Sequence, residues 1–262
     1  MKWQGRRGSD NIEDRRGMST GTKVVGGGIG MLIIVLLVFL LGGDPSGILQ
    51  ESGSAETAGP VETSEEENAL AQFVSVVLAD TEEVWGKIFA QSGATYRQPT
   101  LVLFRDQVHS ACGYATAASG PFYCPGDEKV YIDLSFFDDL RAKYGAYGDF
   151  AIAYVVAHEI GHHVQNQLGI LDEVQKERQR LSEVRANQLT VRLELQADFL
   201  AGVWAHYASR MFDSVEEGDI EEALNAAASI GDDVLQKKYQ GRVVPDSFTH
   251  GTAEQRSGWL RK

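Results

Sequence analysis

The segment VVAHEIGHHV, residues 155–164, places three histidines and one glutamate in an otherwise apolar part of the chain. Apolar residues recur at helical spacing through FAIAYVVAHEIGHHV, which predicts a helix packed against a core. Residues four apart lie on one face of a helix, so His158 and His162 project side by side, where one metal ion can bridge their imidazoles. The segment therefore predicts a metal-binding pair on a core helix. A pair of hydrogen-bonded core histidines is the alternative.

Glu159 follows the first histidine and completes the pattern H-E-x-x-H. In this pattern the glutamate is not a ligand but the base that takes a proton from a metal-activated water. A catalytic zinc site needs three protein ligands and an open fourth position. The extended pattern with a third histidine is excluded, because Gln165 and Leu168 stand where it requires glycine and histidine.

A second acidic pair, in the segment ELQAD, supplies the candidates for the third ligand. Glu194 and Asp198 are again four apart, and their neighbours are apolar, where carboxylates are costly unless they are paired or bound to metal. One carboxylate can bind the metal while the other fixes the tautomer of a ligand histidine. Two solvated acids are the alternative, and His206 becomes the candidate ligand if Glu194 is not one.

A run of 20 residues without a charged side chain, 24–43, is long enough to cross a bilayer as a helix. A basic leader, 1–23, precedes it, and an acidic stretch with few large apolar residues, 44–65, follows as a flexible linker. The positive-inside rule keeps such a leader in the cytoplasm. These features predict a single-pass inner-membrane protein that contacts lipid through 24–43 and carries an extracytoplasmic domain at 66–262. A cleaved signal peptide is the competing interpretation.

Charge and cysteine content limit the partners and the compartment. The net charge of −13 argues against a nucleic-acid partner, because an acidic surface repels phosphates. The only two cysteines, Cys112 and Cys124, fit an oxidising exterior, where an even count usually means a disulfide. A pair of unpaired buried thiols is the alternative.

Hydrophobic periodicity predicts an α+β fold that is mostly helical and has one small sheet. No internal repeat or second linker interrupts residues 66–262, so we expect one folded domain there. The expected strands are Thr100–Phe104 and Lys129–Leu134, and the expected helices are 66–91, 135–144, 149–169, 172–212 with a break, 219–239, and one after residue 252.

Three separated motifs, HEIGHHVQ, ELQADFLAG and SFTHGTAEQR, occur in that order and together resemble the bacterial neutral zinc metallopeptidase family. The cysteine-containing block ACGYATAASGPFYCPGDEKVYIDLSFF is similar to that family as well. The resemblance covers the chain from about residue 22 to its end. It implies a zincin-like metalloprotease domain of the gluzincin type, preceded by one transmembrane helix, with one Zn²⁺ per chain and a protein or peptide substrate.

Carried over residue by residue, the resemblance assigns roles in the site that agree with those from spacing. It implies that His158, His162 and Glu194 bind zinc. Glu159 is then the base and afterwards the acid, and Asp198 supports a ligand histidine.

The downstream motif THGTAEQR adds roles that the resemblance alone implies. His250 would face the developing oxyanion of the substrate, and Arg256 would brace the site. A surface-loop histidine is the alternative for His250. The remaining histidines are expected to play no direct part. His163 points away from the metal and either supports a ligand or lies at the surface, and His109 and His206 are ordinary surface or core side chains.

These features predict a zinc-dependent metallopeptidase that hydrolyses peptide bonds through a metal-activated water with Glu159 as general base. By analogy with zincins, the strand KVYIDL is expected at the sheet edge that holds the peptide, with a Cys112–Cys124 disulfide stiffening that wall. One alternative is a tethered zinc-binding or interaction domain without turnover, which has no need of Glu159. A cytoplasmic metal sensor is another, and it requires that 24–43 is not a span.

Overall fold

The computed structural model of the chain describes residues 1–17 and 63–262. Met1–Arg15 and Ser64–Lys262 fold together as one unit, which is α+β and mostly helical with a small sheet, as the sequence predicts. In chain order its elements are β1 (Ile12–Asp14), α1 (Glu65–Gln91), β2 (Thr100–Phe104), β3 (Gln107–Ser110), β4 (Gly113–Thr116), β5 (Phe122–Cys124), β6 (Lys129–Asp133), α2 (Ser135–Ala142), α3 (Asp149–Gln167), α4 (Ile170–Arg178), α5 (Glu183–Phe212), α6 (Asp219–Ser229), α7 (Asp232–Gln240) and α8 (Ala253–Leu260).

The main sheet has the strand order β1-β2-β6-β5, and β3 and β4 form a separate hairpin. Strands β1, β2 and β6 are parallel, whereas β5 runs antiparallel to β6. The prediction that KVYIDL lies at the sheet edge is wrong, because β6 lies between β2 and β5. The edge strand is β5, whose three residues are too few to show a strand periodicity in the sequence.

The sequence predicts a basic leader at 1–23, and Met1–Arg15 of this segment belong to the folded unit. Strand β1 pairs in parallel with β2. The guanidinium of Arg6 donates two hydrogen bonds of 2.6 Å to the carboxylate of Asp80, a buried residue of α1. Basic side chains of this segment therefore form ion pairs with the folded unit, and such partners cannot be read from local charge.

The predicted fold class is wrong in its membrane helix. No helix within residues 1–17 and 63–262 is both long and apolar enough to cross a membrane. The long helices α1 and α5 have 27 and 30 residues, but charged side chains interrupt both. Residues 24–43 themselves lie outside the described residues.

Helix α3 is the centre of the fold and packs against α1, α5 and α6. Most of its side chains are buried, as its apolar sequence predicts. Gly161 lets α3 approach α5 closely, since a Cβ atom at this position would lie 3.1 Å from the carbonyl oxygen of Ala197. This close approach brings the histidine face of α3 against the acidic pair of α5.

Two predicted helices are each divided in the structure. The expected break within 172–212 separates α4 from α5. The predicted helix 219–239 is two helices, α6 and α7, with the interruption at Gly231. A Cβ atom at Gly231 would lie 2.3 Å from the backbone nitrogen of Ala253, so this glycine is required for the packing of α8.

Candidate metal centre

Three donor atoms from α3 and α5 converge at one point. The Nε2 atom of His158 lies 3.2 Å from Oε2 of Glu194, and the Nε2 atom of His162 lies 3.4 Å from the same oxygen. All three donors lie within 4.8 Å of one another. The structure thus brings together the three residues that the sequence predicts as zinc ligands.

Hydrogen bonds turn both imidazoles toward Glu194. The Nδ1–H group of His158 donates to Oδ1 of Asp198 at 2.8 Å, and the Nδ1–H group of His162 donates to Oε1 of Gln165 at 2.9 Å. Because these partners accept the Nδ1 protons, the Nε2 atoms of both imidazoles face the carboxylate of Glu194 and are the atoms that can bind a metal. Two imidazole nitrogens and one carboxylate oxygen are a donor set typical of catalytic zinc, so these residues fit the ion.

A buried network supports the first histidine. Arg256 donates from Nε and Nη2 to the two oxygens of Asp198, each at 3.0 Å. The hydroxyl of Tyr154 donates to Oδ1 of Asp198 at 2.6 Å and accepts from Nη2 of Arg256 at 2.9 Å. Asp198 is fully buried and Arg256 is 3% exposed. Arg256 therefore acts on the site through Asp198, which fixes the orientation of His158.

The charges of these groups depend on one another. Burial alone would lower the pKa of His158. The charge of Asp198 and the hydrogen bonds to Asp198 and Glu194 outweigh burial and raise the pKa to about 10. Burial raises the pKa of Asp198, yet Arg256 and His158 bring it down to about 2. Burial also opposes ionisation of Glu194, but the two histidines hold its pKa well below the usual range. Glu194 and Asp198 therefore stay ionised, and a divalent cation that binds here would replace the protons that the same interactions favour on the imidazoles.

Glu159 lies next to His158 on α3 but outside the group of three donors. It is only 7% exposed, and its side chain lines the cleft beside the donors. In the part of the chain that the structure describes, no hydrogen bond or ion pair engages its carboxylate. A carboxylate in this position can accept a proton from a molecule in the cleft.

The donors open onto a cavity of about 630 Å³. It is lined by residues of edge strand β5, of α2 and of α4, besides the donors themselves. Most of its walls are apolar or aromatic, formed by Pro121, Phe122, Tyr123, Pro125, Phe136, Tyr144, Val155, Leu171, Val174, Leu193, Ile230 and Leu235. Such a cleft can exclude water from a bound chain and has room for large apolar side chains.

His250 lines the cleft but is not one of the three converging donors. Its loop is held by one carboxylate oxygen, Oδ2 of Asp232, which accepts the backbone N–H groups of Thr249, His250 and Gly251 at 2.7, 2.6 and 2.9 Å. The imidazole itself is half exposed. The structure therefore places His250 at the cleft, and its predicted contact with an oxyanion stays a prediction.

The other histidines lie away from the donors. His163 is fully buried, and its Nε2–H group donates to the carbonyl oxygen of Arg97 at 2.6 Å. Its Nδ1 atom accepts from the hydroxyl of Tyr123 at 3.1 Å, which ties β5 to α3. His163 is thus not a surface residue. His109 and His206 are exposed and do not line the cleft.

Two residues that contact the site were missed in the sequence analysis. Gln165 is fully buried, and besides accepting from His162 it donates to the carbonyl oxygen of Leu193 at 2.8 Å. Tyr154 contacts Asp198, as described above. Helical spacing could have indicated both, because Gln165 follows His162 by three residues and Tyr154 precedes His158 by four.

The predicted disulfide between Cys112 and Cys124 is present, with a Cα–Cα distance of 5.8 Å. Cys124 is the last residue of β5 and is fully buried, whereas Cys112 lies in the turn between β3 and β4. The bond therefore ties the β3–β4 hairpin to the strand that forms one wall of the cleft.

Comparison with known proteins finds relatives in two bacterial species. The protein designated YpfJ of Escherichia coli strain K12 is 49% identical over 271 residues, which cover 100% of this chain and 94% of the relative. Rv2575 of Mycobacterium tuberculosis strain H37Rv is 39% identical over 240 residues, covering 84% of this chain and 79% of the relative. No solved structure matches significantly, so the zincin-like part of the predicted fold class stays a prediction.

A family model described as "Putative neutral zinc metallopeptidase" matches residues 1–262, the whole of the chain. Such a family implies a zinc cofactor and protein or peptide substrates. The three converging donors are a set typical of catalytic zinc. The chain belongs to the neutral zinc metallopeptidase family.

Proposed function

We propose that the protein hydrolyses peptide bonds and uses one Zn²⁺ per chain, held by His158, His162 and Glu194. The observation that carries this proposal is the convergence of these three donors beside Glu159, a carboxylate without a protein partner in the described part of the chain. A site that only holds structure needs no such base, whereas hydrolysis does.

Each residue of the site has a role in this reaction. Zinc bound by the three donors would polarise the scissile carbonyl and lower the pKa of a water molecule to about 7. Glu159 takes the proton of the attacking water and delivers it to the leaving amine. Asp198 and Gln165 hold the two imidazoles in the ligating orientation. His250 donates a hydrogen bond to the oxyanion as it develops.

The edge strand β5 supports a peptide as the substrate. It lies at the end of the described sheet order and lines the cleft that contains the three donors. An unpaired strand edge presents backbone N–H and C=O groups that an extended peptide can pair with. Phe122 and Tyr123 of this strand lie in the cleft wall, where they can contact the substrate side chains.

The variant Glu159→Gln tests the proposed function. Amide replaces carboxylate with nearly the same shape, so the three donors stay in place while the base is lost. Purified variant and wild type should contain equal zinc by elemental analysis. Hydrolysis of a mixed peptide library, followed by mass spectrometry, should be seen for the wild type alone. Zinc loss in the variant would overturn the assigned role of Glu159, and a zinc-loaded wild type without any hydrolysis would favour a binding domain.

We propose further that the domain works in an oxidising compartment outside the cytoplasm. The disulfide between Cys112 and Cys124 supports this, because thiols in the reducing cytoplasm rarely persist as a disulfide. Thiol alkylation of the protein in intact cells, followed by mass spectrometry, should find both cysteines protected. Two alkylated thiols would overturn the proposed compartment.

A further inference from the structure

Helix α4 forms one wall of the cleft, and none of its residues is buried. Four of its residues, Leu171, Val174, Gln175 and Arg178, line the cleft. Their spacing of three, one and three residues puts them on one face of the helix. The face that α4 presents to the cleft is therefore apolar at its start and carries a cation at its end.

The guanidinium of Arg178 is incompletely bonded. Its Nη1 atom donates to Oε1 of Gln175 at 3.2 Å, but its Nε–H group is shielded from solvent and has no acceptor. No carboxylate of the described residues lies within ion-pair distance of Arg178. A buried donor without an acceptor is costly, so this group is suited to an acceptor that a ligand supplies.

Arg178 also differs from the other charged residues that line the cleft. Besides Arg178, the only lysine or arginine in the cleft lining is Arg256, and Asp198 neutralises it through two hydrogen bonds. Glu194 faces the two ligand histidines. Asp172 also lines the cleft, but it is exposed, and water screens its charge. Arg178 is thus the one arginine or lysine in the described lining without a carboxylate partner.

We propose that Arg178 determines substrate specificity by binding a carboxylate of the peptide, next to an apolar side chain held by Leu171 and Val174. The planar guanidinium can meet a carboxylate with two parallel hydrogen bonds, one of them from the orphaned Nε–H group. This inference rests on the proposed peptidase function. The carboxylate has two chemical sources, an acidic side chain within the substrate or the carboxyl terminus of the peptide.

The test measures binding, so that it does not depend on turnover. Zinc-loaded Glu159→Gln protein is titrated calorimetrically with N-acetylated peptides that contain leucine or phenylalanine. One set of pairs differs by glutamate against glutamine at a single position, and the other by a free or amidated carboxyl terminus. In one of the two sets the carboxylate member should bind about 10- to 100-fold more tightly, as expected for hydrogen bonds between charged groups. The set that shows the preference identifies the source.

Substitution of the arginine then tests its role. Adding Arg178→Gln to the Glu159→Gln protein should abolish the preference and leave the affinity for the uncharged peptides unchanged. Arg180→Gln is the matched control, because it removes the same charge from a side chain that is 78% exposed and lies outside the cleft lining. That control should keep the preference.

Three outcomes would overturn the inference, and they are distinguishable from one another. Equal affinities within every pair, or a preference that persists in Arg178→Gln, would remove Arg178 from substrate recognition while leaving the peptidase function intact. Failure of every peptide to bind zinc-loaded protein would instead refute the proposed function, and the inference with it. Zinc content measured on each sample tells this last outcome from a simple loss of metal.

Discussion

The two sides of the cleft are built differently. The inner side consists of α3 and α5, whose metal donors and supporting residues form a continuous buried network with Arg256 of α8. The outer side consists of α4, which has no buried residue, and the loop 249–251, which is held by one carboxylate oxygen. Chemistry therefore depends on packing between the helices, whereas recognition depends on side chains that can change without disturbing the core.

This difference predicts that substitutions in the buried network of the inner side remove the metal or unfold the protein. Substitutions on the outer side should change rates and selectivity while zinc stays bound. Zinc content, stability and turnover together separate the two sides.

Glu194→Ala is expected to have the largest effect. The variant loses one of three converging donors, and two histidines alone do not make a zinc site. Zinc measured after dialysis should fall from about one per chain to near zero, and hydrolysis should disappear with it.

Asp198→Asn is the control for Glu194→Ala, since it keeps all three donors and an oxygen that accepts from His158. Zinc affinity should fall only about 10- to 100-fold, the usual effect of a residue that orients a ligand. Equal losses in the two variants would mean that the roles of ligand and orienting residue are reversed.

Arg256→Ala tests whether the inner side is also essential for stability. The substitution leaves the carboxylate of Asp198 buried without its cation, which should lower the free energy of unfolding by about 3–5 kcal/mol. Urea denaturation measures this loss. Arg261→Ala removes an exposed arginine of the same C-terminal region and should change stability by less than about 0.5 kcal/mol. Similar small losses in both variants would show that the buried network does not stabilise the fold.

His250→Ala tests the outer side. If the imidazole donates to the oxyanion, kcat should fall about 100- to 1000-fold while zinc content stays unchanged. KM should change little, because this hydrogen bond forms mainly in the transition state. His109→Ala, an exposed histidine outside the cleft, should leave both parameters unchanged.

The alternatives for His250 give different combinations of the same measurements. Weaker zinc binding with faster turnover would identify it as a fourth ligand that must leave before water can bind. Unchanged zinc content and unchanged kcat would mean that His250 is a surface-loop residue without a role in the reaction, and the proposed oxyanion contact would then have no donor.

The inner side could be predicted from the sequence because its site residues occur in pairs that are four residues apart. His158 and His162 are one helical turn apart, and so are Glu194 and Asp198, so each pair defines a face before any packing is known. The apolar neighbours of both pairs then predict that the two faces meet. That α3 and α5 approach closely through Gly161 depends on tertiary packing, which periodicity does not contain.

Other features depend on partners that are distant in the chain. Strand β5 has three residues and is recognisable only by its pairing with β6. The division of the predicted helix 219–239 at Gly231 depends on contact with Ala253. Residues 1–15 resemble a basic leader in the sequence, because Asp80, the ion-pair partner of Arg6, lies far away along the chain. Local charge and periodicity do not contain such long-range contacts.

The smallest effect is expected for Asp232→Asn, which tests how the outer loop is held. Burial alone would raise the pKa of Asp232. Its hydrogen bonds with His250 and Gly251 outweigh burial, so the pKa lies below the ordinary carboxyl value. A carboxyl with a lowered folded-state pKa stabilises the protein above its unfolded-state pKa, and this contribution disappears as the pH falls through the lower folded-state pKa. Asparagine keeps one oxygen acceptor, so the loss at neutral pH should be about 1 kcal/mol. Denaturation curves of the variant and wild type should therefore differ at pH 7 and converge in acid.

Asp246→Asn, an exposed acid in the preceding turn, should match the wild type at every pH. A difference between Asp232→Asn and the wild type that persists unchanged in acid would show that shape, and not charge, holds the His250 loop against the cleft.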